Sequence, residues 1–481
     1  MMKKNLKLLK KNSFLLIIFI LTITETYARL GGGGGRSRSS SSSGGSHFGG
    51  GHFSGGHFDG DGGGGGGSLD YRIILVIIVI YLIYQWYTKK NGKKSIFDTE
   101  EDFQNDNYQP RPIQNLPFPE GLNAQKVRTA FLEMQKAWQN QELSSVRKWM
   151  SDGLYQKLSV QIKMMQKLSQ HNVMDNIKIQ NISVENTFTY NDFQIVDVRI
   201  DFELDDTFYS DKFKSMKESY EGDYAIEYYS FIKKGNSIPT TDLYSGNNCP
   251  NCGTLITNDL GEISRCPSCK TLTNNPTYDW VLCEITQEEN FNEESRLNYD
   301  ETLKELCKFD DNFNIQSLED IASNICMQIF DVLTGGKEIK LERFAHQNLK
   351  EEILSLKQNS FNNVVFERLY LKEVTTRFYS KTADNKIEVD FYAEVCGKRV
   401  RLENDTLKEI DDDLTIFPIT LSLIKGISQE ASKNKEVVYS YECSNCGAPY
   451  DDTTHDTCNY CESVVVDESK NWVLSKFDLS L

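Results

Sequence analysis

Eight of the twelve cysteines fall into four C-x-x-C pairs. The first cluster is Cys249-Pro-Asn-Cys252-Gly, followed after thirteen residues by Cys266-Pro-Ser-Cys269; the second is Cys443-Ser-Asn-Cys446-Gly, followed after eleven by Cys458-Asn-Tyr-Cys461. Two cysteines held two residues apart on a tight turn aim both thiolates at one ion while backbone N–H groups of the turn donate to sulfur. Gly253 and Gly447 supply the relaxed backbone this needs. Two such turns make a tetrahedral site. With sulfur at roughly 2.3 Å from Zn2+ and all four positions filled by thiolate, no place remains for water or substrate. The spacing therefore predicts two structural Zn2+ sites and no catalytic centre. Iron in a rubredoxin-like site is the rival, which the Cys-Pro-x-Cys form allows and the short loops disfavour. His455 competes as a ligand only where four cysteines do not already suffice. Cys283, Cys307, Cys326 and Cys396 sit singly among apolar or mixed residues and read as buried, inert thiols.

The elements that must carry these clusters are legible from hydrophobic periodicity. Val127, Phe131, Met134 and Trp138 lie at helical spacing, and Leu154, Leu158, Ile162 and Met165 form a second such stripe. Period-2 alternation then takes over in Ile177, Ile179, Ile182 and Val184 and in Val196, Val198, Ile200, Phe202 and Leu204. Further strands read Ala225 to Lys233 and Trp280 to Thr286. Helices followed by an antiparallel meander predict an α+β fold, with the sheet curled over the helices to bury one face. The second half replays this order. Leu318, Ile321, Ile325 and Ile329 form a helical stripe opened by the capping-box-like Ser317-x-x-Asp320, and Ile353 and Leu356 suggest another helix. Strands follow at Val364 to Phe378, at Ile387 to Val395 after an Asp384-Asn385 turn, and at Pro418 to Gly426. Each half closes on a cysteine cluster and a Trp-led strand. Trp280 and Trp472 each lie eleven positions after the last cysteine, which predicts that each cluster sits inside the final hairpin of its sheet.

Residues 1–100 carry 13 Lys and Arg against 6 Asp and Glu, the remainder 40 against 63. So acidic a body repels phosphate backbones, because non-specific nucleic-acid affinity comes from Lys and Arg. Residues 1–28 have a signal-peptide layout: five lysines, an apolar run from Phe14 to Ile23, and a cut after Ala28. Residues 29–68 form a Gly/Ser-rich tether in which 31–67 hold 19 of the 32 glycines. Residues 69–88 read as a transmembrane helix with an aromatic belt at Tyr84, Trp86 and Tyr87. Lys89, Lys90, Lys93 and Lys94 follow at once and place everything beyond on the cytoplasmic side of the inner membrane. That compartment is reducing, which argues against pairing the cysteines as disulfides. Residues 89–121 read as an acidic, proline-bearing linker, with order resuming near Leu122.

This order of parts, with the stretch FLEMQKAWQNQELSSVRKWMSDGLYQKLSVQI followed by strands, resembles bacterial proteins similar to subunit 44 of the mitochondrial translocase of the inner membrane. The residues that carry the resemblance are Phe131 and Trp138 on a helix and the Leu154-Tyr155 step. It implies a nuclear-transport-factor-2-like fold over residues 122–290, a curved sheet over helices with an apolar pocket, with a zinc ribbon at 248–272. Residues 314–481 look like a degenerate second copy without the helical tryptophan, with a ribbon at 442–464. Zinc ribbons occur in bacterial members of that family and are absent from the mitochondrial subunit.

The leading expectation is a membrane-anchored, cytoplasm-facing binding or scaffold protein, for protein transport or membrane assembly, with a protein, peptide or lipid ligand. A pocket enzyme of the same fold would need a buried carboxylate converging with a tyrosine, because burial raises a carboxyl pKa. No nucleophile elbow, phosphate loop or His-rich centre is present, and His171 and His346 stand alone. A zinc-ribbon nucleic-acid binder is the third class, disfavoured by sparse basic residues: Arg265 and Lys270 at the first cluster, none between Cys443 and Cys461, and Asp451, Asp452 and Asp456 around the second.

Overall fold

The computed structural model describes residues 112–235, 242–256, 260–291, 313–403, 406–427, 443, 445, 446, 448 and 457–481. The expectations for the signal-like start, glycine tract, membrane span and most of the linker, and for Cys307 and His455, lie outside these residues. Among the described residues no helix is long and apolar enough to cross a membrane. One compact unit takes in Gln114–Leu481; the second, Ser39–Ile113, lies almost wholly outside the described residues.

Helix α1 spans Ala124–Gln139, where the Asn123 side chain accepts the Lys126 N–H at 2.9 Å and so satisfies an orphan donor of the first turn. A short 3-10 turn, Arg147–Trp149, leads to helix α2, Asp152–Lys167, capped by Ser151. The antiparallel strands β1 (Gln170–Tyr190), β2 (Phe193–Ser210), β3 (Lys217–Lys234) and β4 (Val281–Gln287) then lie side by side in chain order. Helix α3 (Ile315–Leu333), a 3-10 segment (Glu338–Arg343) and helix α4 (Gln347–Ser360) open the second half. Strands β5 (Val364–Lys381), β6 (Lys386–Glu403), β8 (Thr415–Gly426) and β9 (Val473–Leu479) form its sheet, with β7 (Thr406–Glu409) folded back on β6. The chain is thus α+β, with two antiparallel sheets over helices. The apolar stripes lie where helical spacing put them: Val127, Phe131, Met134, Trp138, Leu154, Leu158, Ile162 and Met165 are all buried against Val198, Ile200 and Phe202 of β2.

Each sheet is bent by three irregularities in its first strand pair, at Asp175/Lys178, Ile179/Asn181 and Val184/Asn186 and again at Glu367/Tyr370, Leu371/Glu373 and Thr376/Phe378. An extra residue in one strand bends it and increases its twist, which is how a sheet curls around a helix pair. Asn176 and Arg368 take left-handed backbone at the first of these sites, φ 53° and 55°. They lie 192 positions apart, as do Cys269 and Cys461 and also Trp280 and Trp472.

Three expectations are corrected, and one strand falls outside them. Order begins before Leu122: Leu116 N–H donates to the Val184 carbonyl at 2.9 Å, and Phe118 packs on the first core. Strand β3 starts at Lys217 and not at Ala225, because the hydrophilic run Lys217–Tyr224 carries no apolar alternation yet pairs with the outer half of β2. Strand β7 is too short and too exposed to announce itself by pattern. Finally, Ser317-x-x-Asp320 is no capping box. Asn314 caps α3 by accepting the Ser317 N–H at 2.7 Å, and Asp320 turns away to the N-terminus of α2.

That turn ties the halves together. Asp320 accepts the Gly153 N–H at 2.9 Å and lies 2.5 Å from the Ser151 hydroxyl. An added Cβ at Gly153 would meet the Asp320 carbonyl oxygen at 2.3 Å, so only glycine admits this approach. Beside it, Val160, Met164 and Leu168 bury themselves in the core of the second half with Leu318, Ala322 and Ile325. Gly153→Ala is expected to lower unfolding free energy by about 1–3 kcal/mol, the usual cost of overpacking, measured by denaturant titration. Burial pushes the Asp320 carboxyl up to about 7, against hydrogen bonds from Ser151 and Gly153 that lower it; Asp152 raises it further and Arg147 opposes that. Lys157 also faces it electrostatically. A carboxyl that binds its proton more tightly when folded contributes stability that is complete below its ordinary 3.8 and is lost as pH rises through about 7. Asp320→Asn should flatten that part of the stability profile between pH 4 and 7; an unchanged slope would place the titration elsewhere.

Candidate metal centres

Each cysteine pair sits on a miniature hairpin. Cys249 N–H donates to the Thr254 carbonyl and Cys266 N–H to the Thr271 carbonyl, each at 2.8 Å, and Cys443 and Cys458 do the same to Ala448 and Ser463. The residue after the second cysteine closes the turn: Gly253, Lys270 and Glu462 donate back to Cys249, Cys266 and Cys458 at 2.9, 3.0 and 2.9 Å. These three take φ of 72°, 64° and 59°, so the left-handed position favours glycine at the first turn and is held by other residues at the other two.

The hairpins converge in pairs. Within each cluster the four sulfurs lie within 4.8 Å of one another, and each group could hold a metal ion. The close pairs cross between hairpins: Cys249–Cys269 3.6 Å and Cys252–Cys266 3.7 Å in the first cluster, Cys443–Cys461 3.6 Å and Cys446–Cys458 3.7 Å in the second. Sulfurs at roughly 2.3 Å from the centre of a tetrahedron are about 3.8 Å apart, whereas a disulfide needs about 2.05 Å. The donor set therefore fits a tetrathiolate ion. The surroundings repeat as well. Asn251 and Asn445, at the same place in C-x-N-C, donate their side-chain amides to the sulfur of the fourth cysteine, Cys269 or Cys461, at 3.6 Å. Two positions after that cysteine a hydroxyl residue, Thr271 or Ser463, stabilises the thiolate and holds its pKa down to about 5. Such outer hydrogen bonds orient metal ligands and favour their charged form.

The clusters occupy the connections from β3 to β4 and from β8 to β9, pairs that are antiparallel neighbours. Trp280 and Trp472 mark the return into the sheet. Trp280 is fully buried and donates its indole N–H to the Glu120 carbonyl at 3.1 Å, and Trp472 packs in the second core. Among the described residues the apolar interior of the first cluster is Cys249, Ile256, Leu260 and Cys266, with Cys269 against it.

A residue without a signal in the pattern fastens the first cluster to its sheet. Arg147, fully buried, donates Nε to the Gly261 carbonyl at 3.0 Å, Nη2 to the Glu262 carbonyl at 2.8 Å and Nη1 to the Met150 carbonyl at 2.7 Å. It pairs with Asp152 and lies 4.6 Å from the Tyr155 ring centroid. Glu262 in turn pairs with Lys340 and Arg343 at 3.2 Å each; burial would raise its carboxyl, but these two cations hold it below the ordinary range. Lys126 pairs with Asp279 at 2.8 Å on the other side of the cluster.

The remaining candidates are dispersed. His171 pairs with Asp211 at an exposed position, and His346 with Glu468 at 2.7 Å. Cys283, Cys326 and Cys396 are buried, and burial pushes the Cys326 thiol up to about 12 and the Cys396 thiol up to about 11. Inside the first sheet Glu227 accepts from Gln287 at 2.9 Å and from Gln135 at 3.4 Å beside Tyr229, whose phenol burial raises well above its ordinary value. On the face of the first sheet that packs on the helices, Phe131 lies 4.7 Å from Phe202 and 5.9 Å from Tyr229.

Metal analysis of the purified chain is expected to give two ions. Cys249→Ser or Cys266→Ser should leave one and open the first ribbon to trypsin at Arg265 and Lys270, because ion binding and folding are coupled at about 10 kcal/mol or more. Unchanged stoichiometry and cleavage would refute the site. Arg147→Ala should cost about 3–5 kcal/mol, since it strands buried Asp152, read as a lowered denaturation midpoint.

No curated protein and no solved structure matches the chain. Residues 119–225, from the turn before α1 through both first helices and into β3, match the family model of the Tim44-like domain.

Proposed function

We propose that the chain is a membrane-tethered binding or scaffold protein. Its two nuclear-transport-factor-2-like modules, residues 122–290 and a degenerate copy at 314–481, hold a protein, peptide or lipid partner beside the cytoplasmic face of the inner membrane, in protein transport or membrane assembly. Each module carries a zinc ribbon in its last hairpin, with iron the lesser alternative. The observation that carries this reading is the Tim44-like match on the first sheet-over-helix layer, because that domain suggests a scaffold or transport role. The closed tetrathiolate geometry supports a structural use of the metal, since no coordination position is left for substrate. The anchor is argued from the apolar run at 69–88 and its lysine flank.

Glu227 and Tyr229 give the pocket-enzyme reading its one specific observation. Glu227 is 1% exposed, and both its oxygens accept amide donors from α1 and β4, which makes it a polar tie between helix and sheet. Nucleic-acid binding gains nothing from the basic residues at the first cluster, as Lys270 Nζ donates to the Pro267 carbonyl within its own turn.

Crosslinked pull-downs from detergent extracts should lose their specific partners when residues 122–290 are deleted. A partner set unchanged by the deletion would sink the proposal. Protease added to intact spheroplasts should spare the C-terminal region, and protease added to inverted membrane vesicles should digest it; the reverse pattern would place that region outside.

A further inference from the structure

We infer that the first cysteine cluster is a metal-dependent clasp across the joint between the two sheet-over-helix layers. The inference rests on the metal reading above and goes beyond it, because it gives the first ion a task outside its own ribbon.

The stretch 260–265, just before Cys266, reaches both sides of the joint. Toward the first half, the Gly261 and Glu262 carbonyls accept from Arg147, and the Ser264 hydroxyl donates to the Arg147 carbonyl at 3.1 Å. Toward the second half, the Glu262 carboxylate meets Lys340 and Arg343 of the 3-10 segment that follows α3. Lys340 also pairs with Asp331 at 2.9 Å, and Asp331 with Lys163 of α2 at 2.8 Å. A chain of alternating charges, Lys163–Asp331–Lys340–Glu262–Arg343, thus crosses the joint three times, and the last two crossings go through Glu262 of the cysteine loop.

The loop's placement depends on the sulfurs. Its ends are pinned where Cys252 and Cys266 approach to 3.7 Å, and among the described residues the apolar interior there is Ile256 and Leu260 with the cysteines themselves. So small a core does not offset the entropy of closing the loop. Without a cation nothing bonds the four sulfurs to one another, so the loop opens and Glu262 leaves its two partners. Lys340 keeps Asp331, and the apolar seam of Val160, Met164 and Leu168 still holds the helices. The release is local to the 3-10 turn at 147–149 and the segment at 338–345. The second cluster is placed differently: Glu468, which follows it, pairs with His346 and Lys386 of its own half.

Hydrogen exchange read by mass spectrometry on the full chain, with metal content measured on the same samples, tests this. Cys252→Ser, an exposed position whose loss removes little packing, should halve the metal content and speed exchange at 338–345 by about tenfold. Cys446→Ser, its counterpart, should halve the metal and leave 338–343 unchanged, the main-chain contacts of β9 with that stretch being at Phe344 and Ala345. Glu262→Gln should keep full metal and still speed exchange at 338–345, which separates the clasp from general loss of fold. Loss of the first ion with 338–345 still protected, or a silent Glu262→Gln, would overturn the clasp while leaving the metal reading intact. A first cluster that holds no metal in the wild-type chain would overturn both.

Discussion

The structure depends on a buried arginine. Arg147 has no contact with solvent, and its guanidinium is spent on three carbonyls and the Asp152 carboxylate. Its planar fork gathers the start of α2, the turn before it and the loop of the first cysteine cluster around one charge. Lysine could not take its place, because a single ammonium point charge does not present donors in a rigid plane. Once that charge is enclosed, each acceptor around it is fixed in direction, and Glu262 is left aimed at Lys340 and Arg343 of the second half. The position of the ribbon, and the reach of Glu262 to the second half, follow from one desolvated ion.

The cysteine clusters solve a different problem. A sheet's last hairpin that carries a long connection has too few apolar residues to order it, and among the described residues the interiors around these clusters are little more than the cysteines themselves. Four thiolates around an ion would supply in one bonded centre what a hydrophobic core supplies elsewhere. The outer hydrogen bonds recur in both clusters, with an asparagine on the fourth sulfur and a hydroxyl two residues beyond it, so both clusters use the same local chemistry.

The joint between the halves combines unlike contacts. An apolar seam from α2 carries the bulk of it, and a buried acid, Asp320, sits at the helix N-terminus where backbone N–H groups point outward. Fixed N–H donors favour the charged form of such an acid and burial opposes it; burial wins, which leaves a group poised near neutrality in the middle of an interface. Gly153 is what lets Asp320 come so close.

What the sequence by itself determined is whatever repeats at short range. Helical stripes, period-2 strands, C-x-x-C turns and the eleven-residue interval to Trp280 and Trp472 are set by which side of a local element a residue faces, and they appear where their spacing puts them. Tertiary structure alone decided the rest. Asp320 looked like a cap for its own helix and serves another 167 residues away; Arg147 meets Glu262 across 115 positions, and Glu262 meets Arg343 across 81. Contacts of that kind leave no periodic trace. Every acceptor, or every side chain of opposite charge, is an equally good partner until packing removes the water around one of them, and only then does a single geometry win.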